Sequence, residues 1–370
     1  MKLITYSRNQ TISCGVLTSK GVIDIPSVWQ GPKLARRNKL YEGGPPRSVI
    51  EILQRGPDCL AQLTKLAEST DLPSPKHSHK EAITRRKINM KKDIYKKSGG
   101  YGQAGIFTPL EQVKILAPIP RPGKIIALAG NYSEHIKEVG RVLGLSVRRF
   151  GAKSPDSRRN SPRQTTVPRP FIMPATVVIG PGEEIPWPVY SEQIDYELEL
   201  AVVIGKAAKY IKPENALDYV VGYTICNDVS ARSVTFKKNR AARPWDEFYD
   251  WLNGKWADGF LPMGPYLLTS DEVAEVQNLN MQLTVNGEIR QKANTSQMIY
   301  TVADIVSFLS HLMTLEPGDI IATGTPSGVA MATGRFLQSG DTIECTIENL
   351  GTLTNKLGQK PEKFYEPLAE

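Results

Sequence analysis

The segment that most constrains the fold runs from Gln193 to Gly205 and reads QIDYELELAVVIG. Polar and apolar residues alternate in its first half and the second half is continuously apolar, which is typical of a strand that enters a buried sheet. Because a strand repeats every two residues, Asp195, Glu197 and Glu199 are expected on one face. Three neighbouring carboxylates repel one another and are costly to bury. This acidic segment therefore predicts either a divalent cation with oxygen ligands or a solvated face with Lys and Arg partners.

Length and composition limit the class of protein. A chain of 370 residues predicts two domains, or one domain with a large appendage. No run of about 18 apolar residues occurs, so no transmembrane helix is expected, and the first residues lack the apolar core of a signal peptide. The four cysteines lie far apart without CxxC spacing, which favours free thiols in a reducing compartment. These features predict a cytoplasmic globular protein without a membrane partner.

The net charge of +8 is concentrated in two basic clusters, at 76–97 and at 148–163. Neither cluster is interleaved with aromatic residues, and neither belongs to a known nucleic-acid-binding module. We therefore interpret both as solvated insertions and expect no specific nucleic-acid partner.

The order of predicted elements divides the chain into two domains. Three short strands followed by a helix at 48–67, interrupted by Gly56-Pro57, predict a small α/β domain over 1–110. A polar, basic insertion or linker is expected near 70–105 within it. Residues 111–370, which contain the acidic segment, form the second predicted domain.

A histidine and a glutamate follow the first buried strand of the second domain. This strand covers 125–129, and His135 and Glu138 lie in the helix predicted just after it. Residues three apart share a helix face, and a carboxylate beside an imidazole is the arrangement that a general base needs. A surface ion pair is the alternative, but the position at the end of a buried strand favours a functional pair. The polar stretch 140–167 that follows is interpreted as a lid or a spacer.

Three further features are candidates for the functional site, and the first two have two interpretations each. Asp228 follows a buried strand at 220–226 and is either a third metal ligand or a turn cap. Lys255 lies among the aromatic residues of 243–260; it has either a lowered pKa or a role as a cation for an anionic substrate, while the aromatic residues form an interface patch. The Gly/Thr-rich loop at 323–328 offers N–H groups for an anion.

Six segments, in order over roughly 120–350, resemble those of the fumarylacetoacetate hydrolase family. They are GNYxxHxxE at 130–138, DYELEL at 195–200, GYT through NDVSAR at 222–232, GK through DG at 254–259, GP at 264–265, and LxPGDIIATGTP at 315–326. The similarity is to the branch of acylpyruvase-like enzymes and 2-hydroxyhepta-2,4-diene-1,7-dioate isomerases.

This resemblance implies an α+β, mainly β fold, a mixed β-sandwich roll with a small N-terminal α/β domain, and a homodimer. It also implies a Mg²⁺ site, with Mn²⁺ or Ca²⁺ as alternatives, held by Glu197, Glu199 and Asp228. His135 and Glu138 would form a water-activating dyad, and Lys255 would be the catalytic lysine. The substrate-binding residues implied by the resemblance are Arg232, Thr325, Gly324 and Tyr132.

The chain departs from the family pattern near the expected pocket. Met173 replaces a lysine, Ser233 replaces an aspartate, Thr235 replaces a glutamine and Ala257 replaces a phenylalanine. Because the predicted metal ligands and the dyad are present, these changes bear on the substrate more than on the reaction class.

The sequence thus predicts a metal-dependent hydrolase that cleaves a C–C bond in a 1,3-dioxo acid, of the acylpyruvate or fumarylpyruvate type, through an enolate stabilised by the metal. Alternatives on the same site are oxaloacetate decarboxylation, isomerisation of a hydroxymuconate-type acid and dehydration of a sugar acid, since the fold alone does not separate them. A non-catalytic binding protein of the same fold is a further alternative. In the enzymatic cases the partner is a small oxo acid.

Overall fold

The structure is a computed structural model that describes residues 1–29, 44–71, 107–142, 162–234, 236 and 240–364. The basic insertion predicted near 70–105 and the polar stretch 140–167 lie mainly outside the described residues, as does Thr235.

The strands agree closely with the alternating and apolar patterns of the sequence. Within the described residues they are β1 (Lys2–Arg8), β2 (Thr11–Thr18), β3 (Gly21–Asp24), β4 (Phe107–Thr108), β5 (Lys114–Leu116), β6 (Ile125–Leu128), β7 (Pro170–Met173), β8 (Val178–Ile179), β9 (Glu184–Ile185), β10 (Ile194–Asp195), β11 (Leu198–Ile204), β12 (Val220–Asn227), β13 (Ser230–Ala231), β14 (Leu261–Thr269), β15 (Asn280–Val285), β16 (Glu288–Asn294), β17 (Ile320–Ala322), β18 (Thr342–Ile347) and β19 (Gly351–Leu357).

The α-helices of the same ranges are short and lie between groups of strands. They are α1 (Ile25–Trp29), α2 (Val49–Gln54), α3 (Pro57–Asp71), α4 (Ser133–Val142), α5 (Pro162–Thr165), α6 (Asp246–Asn253), α7 (Val302–Leu312) and α8 (Ala330–Thr333). The predicted helix at 48–67 is interrupted at Gly56, as expected, because glycine and proline disfavour continuation of a helix. No described helix has both the length and the apolar character that a membrane crossing requires.

A large mixed sheet organises the described chain. Its strand order is β4-β3-β2-β1-β14-β12-β11-β17-β6-β7, with β5 paired to β1 and β8 paired to β14. The N-terminal strands join the sheet through the antiparallel pair β1–β14, in which Lys2 lies opposite Leu268. The predicted N-terminal unit therefore extends the sheet of the second unit, and the division at 110 stays a prediction.

A second sheet packs against the first and carries a tight hairpin. Its order is β16-β15-β18-β19-β9. Asn286 and Gly287 connect β15 to β16 with φ of 52° and 80°, the left-handed values that a tight hairpin turn requires. The α+β, mainly β class predicted from the sequence is confirmed by this architecture.

Strand β11 explains the apolar half of the acidic segment. All its residues are buried. Leu198, Leu200 and Val202 belong to one apolar core, and Ala201 and Val203 belong to another. A strand buried on both faces needs an apolar residue at nearly every position, and each buried Leu or Val stabilises the fold by about 1.5–3 kcal/mol. Strand β11 is therefore a rigid central element beside which charged side chains can be held.

Candidate active site

The acidic segment is interrupted between its charged residues. Strand β10 ends at Asp195 and β11 begins at Leu198. At the interruption, the side-chain oxygen of Asn227 accepts a hydrogen bond from the Glu197 N–H at 2.8 Å, and that of Gln291 accepts one from the Leu198 N–H at 2.9 Å. Side-chain amides thus replace the backbone hydrogen bonds between strands at the point where the chain leaves the sheet. The segment is therefore not the single continuous strand that its alternation predicts.

Asp195 consequently does not join the other two carboxylates. Its oxygens accept hydrogen bonds from the backbone N–H groups of Ala330 and Met331, at 2.6 and 3.1 Å, and from Arg232 Nε at 2.9 Å. Asp195 is therefore not a member of the cluster that Glu197 and Glu199 form with Asp228, although it shares Arg232 with Glu197. This residue instead fixes the start of α8 and pairs with Arg232.

Glu197, Glu199 and Asp228 form a buried carboxylate cluster, which we call the acidic triad. An oxygen from each residue lies within 4.8 Å of the others. Antiparallel pairing of β11 with β12 places Leu198 opposite Asn227, so the residues next to them also meet. The Asp228 N–H donates to the Glu197 carbonyl at 2.9 Å, which closes this corner of the sheet.

Lys255 lies between two members of the triad and is 1% exposed. Its Nζ donates to Glu197 Oε2 at 2.8 Å, to Asp228 Oδ2 at 2.7 Å and to the Asp228 carbonyl at 3.1 Å. Burial opposes its charge, but the carboxylates of Asp228 and Glu197 outweigh burial and raise the pKa of Lys255.

The alternative of a lowered lysine pKa in aromatic surroundings is therefore wrong. Trp245 and Tyr249 are 74% and 57% exposed and do not enclose the ammonium group. The reason lies in α6, which presents these aromatic side chains to solvent and ends just before Gly254 and Lys255. Whether the exposed aromatic cluster is an interface stays a prediction.

The buried lysine should stabilise the metal-free protein strongly. Lys255→Ala leaves two buried carboxylates without their shared cation, so we expect a loss of about 3 kcal/mol in the free energy of unfolding. Urea denaturation with and without Mn²⁺ measures this loss, and the metal should restore part of it. Lys206→Ala, at an exposed position, is the control and should change the value by less than about 0.5 kcal/mol. Equal stability of the two variants would contradict the role of Lys255.

The three carboxylates of the triad have very different pKa values. Burial raises the pKa of Glu197, but Lys255 and Arg232 outweigh it and hold the pKa at about 2. Burial, opposed by Lys255 and reinforced by Glu197, raises the pKa of Asp228 to about 6. Burial, Asp228 and Glu197 raise the pKa of Glu199 well above its usual range. The triad therefore needs further positive charge before all its members can ionise.

The triad fits a hard divalent cation. Its donors are all carboxylate oxygens, the type that Mg²⁺, Mn²⁺ and Ca²⁺ prefer. Asp228 Oδ1 is buried and has no hydrogen-bond partner among the residues that the structure describes. Since a buried polar atom usually has a partner, an ion at this position would pair with Asp228 Oδ1 and would supply the positive charge that lets Asp228 and Glu199 ionise.

Metal affinity should rise with pH. The pKa of Asp228, about 6, and that of Glu199 are both raised, so protons occupy these carboxylates at low pH and must leave before a cation binds. We expect the affinity for Mn²⁺ to fall by about tenfold or more for each pH unit below about 6, with protons released on binding. Calorimetric titrations at several pH values, in two buffers with different ionisation enthalpies, measure both effects. An affinity that is constant between about pH 5 and 7.5 would contradict the assignment.

The predicted dyad lies beside the triad. His135 and Glu138 are on α4, and His135 Nδ1 is 3.0 Å from Glu138 Oε1. A positive charge on the His135 imidazole would help to lower the pKa of Glu197, which places the imidazole close to the triad. With Nδ1 directed at Glu138, Nε2 is the ring nitrogen that can accept a proton from a substrate or a water.

The Gly/Thr-rich loop binds carboxylates of the protein itself. The Gly324 N–H donates to Glu199 Oε2 at 2.7 Å, and the Gly328 N–H donates to both oxygens of Glu138 at 3.1 and 3.0 Å. The loop does offer N–H groups to anions, as predicted, and these anions include side chains of the site. Thr325 Oγ1 donates to the Leu198 carbonyl at 3.0 Å.

The other predicted substrate-binding side chains also have protein partners. Arg232 donates to Glu197 as well as to Asp195, and the Tyr132 hydroxyl donates to Met281 Sδ at 3.3 Å. Tyr132 is buried near Glu199, whose charge adds to the effect of burial in raising the tyrosine pKa. The roles of Arg232, Tyr132, Thr325 and Gly324 towards a substrate stay predictions.

Two buried amides hold the site together and were not assigned a role from the sequence. Gln291 donates from Nε2 to Thr325 Oγ1 and to the Pro326 carbonyl, at 2.8 and 2.9 Å. Asn131 donates to the Thr323 carbonyl at 2.8 Å, which fixes the start of α4 against the loop. Asn131 lies at the end of a buried strand, as Asp228 does, and that position is a usable signal. For Gln291 no such signal exists, because its role depends on the meeting of β16 with a distant loop.

Two of the departures from the family pattern, Met173 and Ser233, have partners outside the triad. Met173 is buried in an apolar core, at 2% exposure, and pairs with Ile125 across β6 and β7. Ser233 Oγ accepts a hydrogen bond from the Glu192 N–H at 3.1 Å. Neither position provides a charged group that contacts the triad in this structure.

Comparisons with known proteins agree with the geometry. Residues 124–358, more than half of the chain, match the family model described as fumarylacetoacetate hydrolase, C-terminal. The chain is 39% identical over 254 residues to the mitochondrial oxaloacetate tautomerase FAHD2A of Bos taurus, covering 67% of this chain and 71% of that one. It is 40% identical over 260 residues to a fumarylacetoacetate hydrolase domain-containing protein 2 homolog of Dictyostelium discoideum, covering 67% and 75%.

Solved structures show the same fold over nearly the whole chain. The fumarylacetoacetate hydrolase of Exiguobacterium antarcticum superimposes with a TM-score of 0.66 at 26% identity, covering 97% of this chain and all of that one. A 2-hydroxyhepta-2,4-diene-1,7-dioate isomerase of Mycobacterium marinum does so with a TM-score of 0.59 at 25% identity, covering 98% and 100%. The predicted fold is therefore confirmed.

Proposed function

Because the chain belongs to the fumarylacetoacetate hydrolase family of enzymes, we propose that it is a divalent-metal-dependent enzyme that acts on a small, enolisable 2-oxo acid. The observation that carries this proposal is the buried acidic triad with the unpartnered Asp228 Oδ1, next to a histidine with a free ring nitrogen. Buried carboxylates with raised pKa values beside an oriented base are typical of a catalytic site. This argues against the non-catalytic alternative.

Each residue of the site has a distinct proposed role. Glu197, Glu199 and Asp228 hold Mg²⁺ or Mn²⁺, which when bound polarises a substrate oxygen as a Lewis acid. Glu138 accepts a hydrogen bond from the Nδ1–H of His135, so that Nε2 removes or returns a proton. The three carboxylates of the triad are buried, which strengthens the charge interactions among them.

Lys255 is proposed to act through the carboxylates. In this structure its three hydrogen bonds go to Glu197 and Asp228, which matches the number of donors on an ammonium group. It therefore holds two metal ligands in place and offsets their charge.

The first proposed reaction is the keto–enol tautomerisation of oxaloacetate or a close analogue. It moves one proton between a carbon and an oxygen of the substrate, breaks no C–C bond and needs no second reactant. One oriented base is sufficient for this chemistry. The relatives named oxaloacetate tautomerase, at 38–39% identity in cattle and human, support this choice.

Hydrolysis of a C–C bond in a 1,3-dioxo acid is the second candidate. The same dyad can take a proton from water, whose hydroxide then attacks the distal carbonyl, and the electron pair of the broken bond leaves as an enolate that is protonated to pyruvate. The structural likeness to a fumarylacetoacetate hydrolase favours this candidate at the level of fold.

A single panel separates the candidates. Enol oxaloacetate, acetylpyruvate and fumarylpyruvate are incubated with the protein and Mn²⁺, and absorbance, products and mass are followed. A tautomerase accelerates loss of the oxaloacetate enol without release of CO₂ or pyruvate, whereas a hydrolase forms pyruvate and a second acid from an acylpyruvate. Release of CO₂ would instead identify a decarboxylase. No metal-dependent change in any of these acids would overturn the proposed substrate class.

Two properties outside the site stay predictions. A homodimer is expected from the family resemblance, and light scattering during gel filtration tests it. A cytoplasmic location was inferred from the sequence, but the cattle relative is a mitochondrial protein, so the comparison does not support that location.

A further inference from the structure

Glu138 is held by a backbone amide as well as by its histidine partner. The Gly328 N–H donates to Glu138 Oε1 and Oε2 at 3.1 and 3.0 Å, and His135 Nδ1 lies 3.0 Å from Oε1. One carboxylate thus joins the end of a loop to the imidazole. An i,i+3 pair on a helix is weak by itself, so a second anchor is needed if Glu138 is to hold a single orientation.

Gly328, whose N–H anchors Glu138, is itself held in place by two further contacts. The Gly328 carbonyl accepts a hydrogen bond from the Tyr196 hydroxyl at 3.2 Å. A Cβ atom at Gly328 would lie 2.2 Å from the backbone oxygen of Arg290, and the residue has φ of 104°. Arg290 lies where the β15–β16 register shifts between Leu283 and Thr284, a bulge that brings its carbonyl against the loop. The position therefore requires glycine for two reasons, a close approach and a positive φ.

The same loop also holds a predicted metal ligand. Gly324 donates to Glu199 at 2.7 Å, four residues before Gly328 donates to Glu138. The loop thus spans from the metal site to the base, and its backbone sets the separation between them.

We propose that Gly328 is a positioning residue for the base, which acts by fixing Glu138 so that His135 carries its proton on Nδ1 and keeps Nε2 free. A carboxylate that is not anchored can rotate away from Nδ1, and the imidazole then populates both tautomers. The catalytic consequence rests on the proposed function, whereas the tautomer of His135 does not.

Gly328→Ala tests the inference, with Gly334→Ala as the matched control. Gly334 also has a positive φ, of 71°, but a Cβ there would meet no atom within 4 Å. Nitrogen-15 NMR of the metal-free proteins should show a single Nδ1–H tautomer of His135 in the wild type and in Gly334→Ala, and a mixture in Gly328→Ala. The kcat of Gly328→Ala should fall on the order of 100-fold, as expected for a displaced reacting group, with Mn²⁺ affinity retained.

A double-mutant cycle distinguishes positioning from general damage. Glu138→Asp shortens the side chain so that it cannot contact both His135 and Gly328, and it should give the same mixture of tautomers. If Gly328→Ala does not fold, the tautomers of His135 in Glu138→Asp still test the inference. When both changes are combined, the losses in kcat should not multiply, because each removes the same link.

Two results would overturn the inference. One is a single Nδ1–H tautomer in folded Gly328→Ala or in Glu138→Asp, and the other is losses in kcat that multiply in the double variant. The NMR experiment needs no substrate. The wild-type protein could be inactive on every oxo acid while Gly328→Ala still shows a mixture of His135 tautomers. That result would refute the proposed function and support the role of Gly328.

Discussion

Removal of divalent metal should lower the turnover of an enolisable 2-oxo acid by about 1,000-fold or more, because a Lewis acid supplies several kcal/mol of charge stabilisation. The two cations that contact the triad are already paired with its carboxylates, Lys255 with Glu197 and Asp228 and Arg232 with Glu197. Initial rates with EDTA-treated protein, before and after addition of Mg²⁺ or Mn²⁺, measure the effect. Recovery of activity on metal addition is the control against irreversible damage, and full activity in EDTA would contradict a metal-dependent reaction.

His135→Ala should lower turnover by about 10²–10⁴-fold and leave metal affinity unchanged, because general base catalysis contributes that much and the imidazole is not in the triad. Steady-state rates at saturating Mn²⁺, together with a calorimetric titration, measure both quantities. His311→Ala is the control, since that histidine lies on α7 with its Nδ1 2.8 Å from the Ser307 carbonyl. If the two variants have equal turnover, His135 is not the base.

Local sequence patterns predicted the strands and the ends of the elements well. The apolar half of the acidic segment became β11, and the strand at 220–226 became β12, because a strand buried on both faces leaves a clear apolar run. Asp228 was suspected because it follows such a strand. Its assignment to a triad with Glu197 and Glu199 came from the family resemblance, and the structure brings the three together.

Features that depend on distant contacts could not be predicted. Asp195 belongs to the same alternating pattern as Glu197, yet its partners are N–H groups of Ala330 and Met331, more than a hundred residues away. The surroundings of Lys255 were misjudged because sequence neighbours on α6 point outward. The Gly/Thr-rich loop predicts N–H groups for an anion, but it does not predict that Glu138 is the acceptor of the Gly328 N–H, because that contact depends on the packing of α4 against the loop.

The acidic triad also explains why the amino-acid composition and net charge did not predict the function. The excess of positive charge lies mainly in basic stretches outside the described residues, whereas the site depends on a few buried charges. Buried charges are rare because they are expensive. A small number of them, placed at the ends of apolar strands, therefore carries more functional information than the net charge does.

Calorimetric titration of Mn²⁺ into the metal-free protein, compared with Glu199→Gln and Glu138→Gln, tests the central claim most directly. Glu138→Gln is the matched control, since Glu138 is an acidic residue of the site outside the triad. We expect one ion per chain in the wild type and in Glu138→Gln, and no binding at the same concentrations in Glu199→Gln. Undiminished Mn²⁺ binding in Glu199→Gln would show that the triad is not the metal site. It would also contradict the proposed metal-dependent chemistry.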